Sequence, residues 1–217
     1  MRPEIESIGQ KTRSFIEEAR RAQIVASAVE VMAEVGFAQA SLARIAQHAG
    51  ISKGVISYHF AGKHELMEEV VTRVYAGMTD HMMAKIAGVE TATGLLRTQI
   101  LSVAEHMRGH RAQLLALGEI FANLRDAEGR PRYGIKASEG LYQALEQIYQ
   151  LGQRTGEFRS FDVRVMAVAH SSAVDSMFAY WAAYPDHDLD AHARELADLF
   201  ERAAKKSGAE DDPIRHP

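Results

Sequence analysis

SLARIAQHAGISKGVISYHFAGK, residues 41–63, is the stretch whose spacing decides the fold. Ala46 stands where one short helix must let the next approach closely. Gly50, four residues on, permits the left-handed backbone of a tight turn. Ile45, Ala49, Ile51 and Ile56 fall on the inward sides of two short helices, while Ser52, Lys53, Gly54, Ser57 and Tyr58 fall on the outward side of the second. Ser41 and Ser52 are suited to cap the two helices, since a serine hydroxyl accepts from a free N–H of a first helical turn. The pattern predicts a helix-turn-helix over about residues 41–60, with a further helix starting near Lys63. A second helix of about two turns offers three or four side chains to a major groove. Lys53, Val55, Ser57 and Tyr58 are those side chains. Lys53 is a donor for guanine O6 and N7 or for a phosphate, and Val55 an apolar contact for a thymine methyl. Ser41 and Ser52 have a DNA-facing reading beside their capping one.

Outward from this stretch, every segment reads as helix. Ile16, Ile24, Ala28, Val31, Met32 and Val35 make a helical stripe over residues 15–35, and Gly36 is placed to end it. Leu66, Val70, Val74 and Met78 predict a fourth helix that ends near Gly88. Further helices are expected over 93–109 and 110–125, then a turn over 126–131 whose Pro131 suits a helix's first turn. Leu141, Leu145, Ile148 and Leu151 mark the next helix, which stops at Gly156; Asp162 caps another, and Asp186-His187-Asp188 starts the last. Strand-like alternation is absent from the sequence. The expected fold is all-α, with about nine helices in two domains. Residues 1–65 form a three-helix helix-turn-helix domain and residues 66–217 a second helical domain. Residues 1–14 read as a mobile arm that carries Lys11 and Arg13, and residues 205–217 as a charged, disordered tail.

Composition narrows the chemistry. The 217 residues are 47% hydrophobic, ample for a core, and contain no cysteine, which excludes disulfides, thiolate metal sites and cysteine nucleophiles. The opening residues lack the apolar run of a signal peptide and no segment holds 18 uninterrupted apolar residues, so a cytoplasmic protein without membrane attachment is expected. The net charge of −4 divides into 8 Lys+Arg against 7 Asp+Glu over residues 1–65, and 17 against 22 over the rest. A near-neutral head binds DNA through a few placed lysines and helix N-termini, while the acidic part faces away.

Tyr58-His59-Phe60 is followed at fixed spacing by Lys63 and Leu66. Together with Ile24, Ala28, Gly36-Phe37, Ile45-Ala46 and the run Ala49–Gly54, this makes residues 23–66 resemble the tetracycline-repressor (TetR) family. The resemblance implies that Tyr58 and His59 hold the DNA backbone and that Lys63 binds a phosphate beside free backbone N–H groups. Ser57 departs from the family, which often has an aromatic residue there. The resemblance further implies a homodimer on a palindromic operator, a small-molecule effector held by the second domain, and a repressor that the effector releases from double-stranded DNA.

The last two helices suit the dimer. Val163, Met166, His170, Ala173, Met177 and Trp181 form a stripe, with Ala169, Ser172, Ala173 and Ser176 as small surfaces for close approach. Candidate effector-binding residues are Met78, Met82, His106, His110, Phe121, Asn123, Tyr142 and His170, each of which reads equally as core filler or helix-end residue. His106 and His110, four apart, make a half-formed metal pair, but no third ligand is evident, and neither a metal nor a cofactor is expected. No phosphate loop, triad or zinc signature supports an enzyme. The remaining alternative is a dimeric helical small-molecule sensor or scaffold without specific operator binding.

Overall fold

The computed structural model describes residues 3–206, with side chains from residue 15 onward. Within them lie α1 (Pro3–Gln39), α2 (Leu42–His48), α3 (Lys53–His59), α4 (Lys63–Ile86), α5 (Ala92–Arg108), α6 (Arg111–Asn123), α7 (Glu139–Thr155), α8 (Val163–Ala183) and α9 (Leu189–Ala204). A short 3-10 turn, Ile135–Ser138, precedes α7, and two isolated bridges replace any strand among the described residues. The expected all-α fold of about nine helices is the one observed.

Two local expectations are corrected. The first helix begins before residue 15, whereas Gly36 (φ 74, ψ 169) breaks it where expected, and a short helical stretch follows to Gln39. The proposed reach of Lys11 and Arg13 falls on side chains outside the described residues, as do residues 207–217 of the expected tail. Pro131 opens no helix. Asp126 Oδ1 accepts from the N–H groups of Glu128 and Arg130, which closes the turn, and Pro131 then bridges to Arg125. The proline's fixed φ serves that extended pairing.

Packing divides the chain into two compact units. The first comprises the chain up to Gly77 together with His110–Tyr133; the second comprises Met78–Gly109 together with the chain from Gly134. These cuts differ from a division at residue 65, because α4 continues unbroken and α6 packs on α1. The core of the first unit is built from Ile24, Ala28, Met32, Ile45, Ile56, Phe60, Leu66 and Met67, with Ala116 and Ile120 supplied by α6. In the second unit α5 packs on α9 and α7, and α8 packs on α7 and α9. Leu96, Ile100, Leu145, Tyr149, Met177, Ala197 and Phe200 fill its interior. Arg97 of α5 pairs with Asp198 and with Glu201, the latter at 2.7 Å, which joins α5 to α9.

Candidate nucleic-acid interface

α2 and α3 are too short to be stable alone, so tertiary packing and their caps must fix them. Ser41 accepts from the Arg44 N–H at 3.2 Å and Ser52 from the Val55 N–H at 3.3 Å. Gly50 adopts φ 67, and the Ile51 N–H reaches back to the Ala46 carbonyl at 3.0 Å. That bond spans five residues and closes α2 in a Schellman-type turn. Ile45 and Ile56 are fully buried, Ala46 and Ala49 nearly so, and Ile51 is half-buried.

The outward face of α3 is open as expected. Ser52, Lys53, Gly54 and Ser57 are exposed, Val55 is half-buried, and Tyr58 is 76% exposed, an unusual state for a large aromatic residue. The Tyr58 ring meets the His59 ring edge-on at 4.9 Å, which orders the pair at the end of the helix. Ser41 is exposed at the start of α2, and Arg44 and His48 on the same helix add exposed basic groups that the sequence reading did not select. Phe60 is 1% exposed and belongs to the core, as expected.

Lys63 is placed otherwise than expected. Its ammonium turns inward, donates to the Phe37 carbonyl and lies 4.0 Å from the centroid of the Phe37 ring. Partial burial holds its pKa below the ordinary lysine value.

Two supports of this face were not legible in the sequence. Arg21 of α1 donates to the His59 carbonyl at 2.6 Å and sits 4.3 Å from the Phe60 ring centroid, while Gln23 donates to the Ala49 carbonyl at 2.9 Å. Both satisfy carbonyls at helix C-termini, which have no partner within their own helix. The only sequence signal for them is that α2 and α3 must find such donors somewhere.

The eight effector candidates are divided between the two units. His110, Phe121 and Asn123 belong to the first unit, and Met78, Met82, His106, Tyr142 and His170 to the second. Phe121 lies between Tyr75 and Tyr133, at 6.5 and 5.2 Å between centroids. Asn123 is exposed and donates to the Glu119 carbonyl one turn back, the helix-end role. Met78 and Met82 are half-buried on α4, and Tyr142 is buried on α7 near Arg164. His106 faces His81, ring centroids 5.3 Å apart. His106 and His110 do not share a helical face. α5 ends at Arg108, and His110 stands beyond Gly109 at φ −133, ψ 41, ahead of α6.

His170 is fully buried. Its Nδ1 lies 3.1 Å from the Tyr149 hydroxyl, its ring stacks on Phe200 at 4.8 Å, and burial depresses its pKa to about 4. Tyr149, also fully buried, has its hydroxyl pKa raised by the same desolvation. The α8 stripe of Val163, Met166, His170, Ala173, Met177 and Trp181 therefore faces the interior: His170, Met177 and Trp181 are buried and the other three half-buried. The outward side of α8 carries Val165, Val168, Ala169, Ser172, Ser176, Ala179 and Tyr180, all exposed.

Two short helices crossing at a Schellman turn, with a capped second helix whose outer face is bare, define a helix-turn-helix DNA-binding module. Residues 24–70 match the family model described as "Bacterial regulatory proteins, tetR family". Residues 24–70 thus carry a TetR-family DNA-binding domain.

The chain is 36% identical over 75 residues to the HTH-type transcriptional regulator BetI 2 of Chromohalobacter salexigens, covering 35% of this chain and 36% of that one. It is 44% identical over 52 residues to the regulator BetI of Vibrio vulnificus, covering 24% and 26%. The chain thus spans about a quarter to a third of the length of these relatives. The fold is shared far more widely. The regulator FadR from Bacillus subtilis, solved with stearoyl-CoA, superposes with a TM-score of 0.74 at 24% identity over 82% of this chain and 96% of that one. A transcriptional regulator from Saccharomonospora viridis, solved with choline, gives 0.74 at 22% identity over 88% and 99%. No helix among the described residues is long and apolar enough to cross a membrane.

Proposed function

We propose that this chain is a ligand-responsive transcriptional regulator that binds a palindromic operator as a homodimer and acts as a repressor released by a small molecule. The single observation that carries the DNA-binding half is the bare outer face of α3, with Lys53, Ser57 and a largely exposed Tyr58 on a helix fixed by its cap and by Arg21. Residues 1–65 are the DNA-binding domain, with α6 as its buttress, and residues 66–217 the effector-binding and dimerisation domain. Ser41, Ser52, Lys53, Val55, Ser57, Tyr58 and His59 face DNA. Tyr58 and His59 hold the phosphate backbone, and Lys53 donates to a phosphate or a guanine edge.

Small molecules bound to two regulators of the same fold support an effector site in this chain, with Met78, Met82, His106, Tyr142 and His170 of the second unit as its candidates. Dimerisation follows from the geometry of operators, where two heads set about 34–36 Å apart engage two half-sites. The outward side of α8 and the exposed Leu199 of α9 are the surfaces best suited to it.

Fluorescence anisotropy with DNA from the chain's own upstream region, at low and higher salt and against a scrambled duplex, tests the reading. Salt-dependent, sequence-selective binding by two subunits per site is the expected result. Equal affinity for both duplexes moves the weight to a sensor or scaffold without specific operator binding.

A further inference from the structure

The backbone of Phe37 is held from two sides by charged groups from distant parts of the chain. Gly36, at φ 74 and ψ 169, breaks the helical path and turns the Phe37 N–H outward. That N–H donates to Glu119 Oε2 of α6 at 2.6 Å. The Phe37 carbonyl accepts from the ammonium of Lys63, the first residue of α4, which also covers the Phe37 ring at 4.0 Å. A β-carbon at position 36 would stand 3.2 Å from the same Glu119 oxygen, so glycine leaves the carboxylate its approach. Phe37, the residue just past the Gly36 kink of α1, is thus tied to α4 by a cation and to α6 by an anion. Hydrogen bonds with one charged partner are roughly twice as strong as neutral ones.

We infer that Lys63 and Glu119 are positioning residues for DNA recognition: they clamp the Phe37 turn that sets the start of the helix-turn-helix, and Lys63 makes no phosphate contact of its own. The inference rests on the DNA-binding reading above. The two oppositely charged groups meet the two peptides that flank Phe37, the carboxylate at the N–H of the first and the ammonium at the carbonyl of the second. Ala40, three residues further, is fully buried and donates to the Gly36 carbonyl at 3.1 Å, so the held turn runs directly into the cap of α2. A shift of the turn therefore displaces α2, and α3 moves with it because α2 and α3 pack together.

The full-length chain and its Lys63→Met, Glu119→Ala and Glu119→Gln variants are titrated with a duplex enriched by the wild-type chain from a randomised pool, and with a scrambled duplex, over a salt series. A residue that neutralises a phosphate contributes close to one to the slope of log K against log salt. Lys63→Met is expected to weaken binding to the enriched duplex on the order of tenfold with the salt slope of the wild type. Glu119→Ala should do the same, and both should lower the preference for the enriched over the scrambled duplex. A chain that was merely less stable would lose both affinities in proportion. Glu119→Gln keeps an oxygen acceptor for the Phe37 N–H and should recover most of the preference. A slope reduced by about one in Lys63→Met, or an unchanged preference in both Lys63→Met and Glu119→Ala, overturns the inference. If the wild type itself fails to prefer the enriched duplex, the DNA-binding reading fails, and the clamp's role in recognition with it.

Discussion

Lys53 and Tyr58 share a helix but differ in what they offer DNA, and their substitution should separate two kinds of contact. Lys53 is an exposed cation, so Lys53→Ala is expected to lower the salt slope of DNA binding by about one. Tyr58→Ala removes an uncharged contact and should weaken binding several-fold with the slope intact. Anisotropy titrations over a salt series read both. His170 makes a prediction of another kind. Its folded pKa of about 4 lies below the ordinary 6.5, so its neutral form is the one the core accepts. Stability from this group is complete above pH 6.5 and is lost as pH falls toward 4, because the unfolded chain then takes up a proton that the folded chain refuses. The loss approaches roughly 3 kcal/mol below that window, and urea denaturation between neutral and acid pH should register it, with a flatter profile in His170→Leu. The residues of α3 were legible because their exposure follows from helical spacing. The inward turn of Lys63 and the buried bond of His170 to Tyr149 were not, since each depends on a partner 26 or 21 residues away.

At the scale of elements, local chemistry marked the ends of helices better than it marked their faces. Ser41, Ser52, Asp162 and Asp188 each cap the helix that begins after them, because a cap is settled by a few neighbouring residues. Gly50 belongs to the same class. A β-carbon there would meet nothing within 4 Å, so any penalty for Gly50→Ala comes from the backbone at φ 67 alone. Such a conformation costs an L-residue roughly 1–2 kcal/mol, and Gly50→Asn should cost less because asparagine tolerates it. Urea midpoints of the two variants give the comparison; equal losses would mean that the turn rearranges. The α8 stripe shows what local reading misses. Its 3-4 spacing identifies an apolar face but does not say whether that face meets its own unit or another subunit. Packing on α7 and α9 takes the stripe with His170 and Met177, and the side with Val165 and Tyr180 is left outside. Pro131 misled for a similar reason, since the closing of the 126–131 turn by Asp126 sets the path of the chain through the proline.

For the whole molecule, the side of α8 left uncovered is where the subunit stoichiometry should be decided. Val165 is 65% exposed, Val168 38%, Tyr180 47% and Leu199 of α9 58%, while Ala169, Ser172, Ser176 and Ala179 keep the helix surface low enough for another helix to come close. Apolar and small residues gathered on one helix face, with the exposed Asp175 at its edge, mark an interaction surface more readily than scattered single residues do. If two copies meet there, a charge placed at its centre is desolvated without a partner and opposes association strongly. Val168→Glu combined with Leu199→Glu should therefore yield a monomer by sedimentation equilibrium at concentrations where the parent chain is a dimer. The far-ultraviolet circular dichroism should stay that of a folded helical protein, because both side chains already stand outside the core. Operator affinity should then fall by orders of magnitude, since each head loses the tethering of the second, whereas weak binding to a half-site duplex should change little. A variant that stays dimeric would place the interface elsewhere, and one that is monomeric yet binds the full operator as tightly as the parent would show that recognition does not depend on pairing.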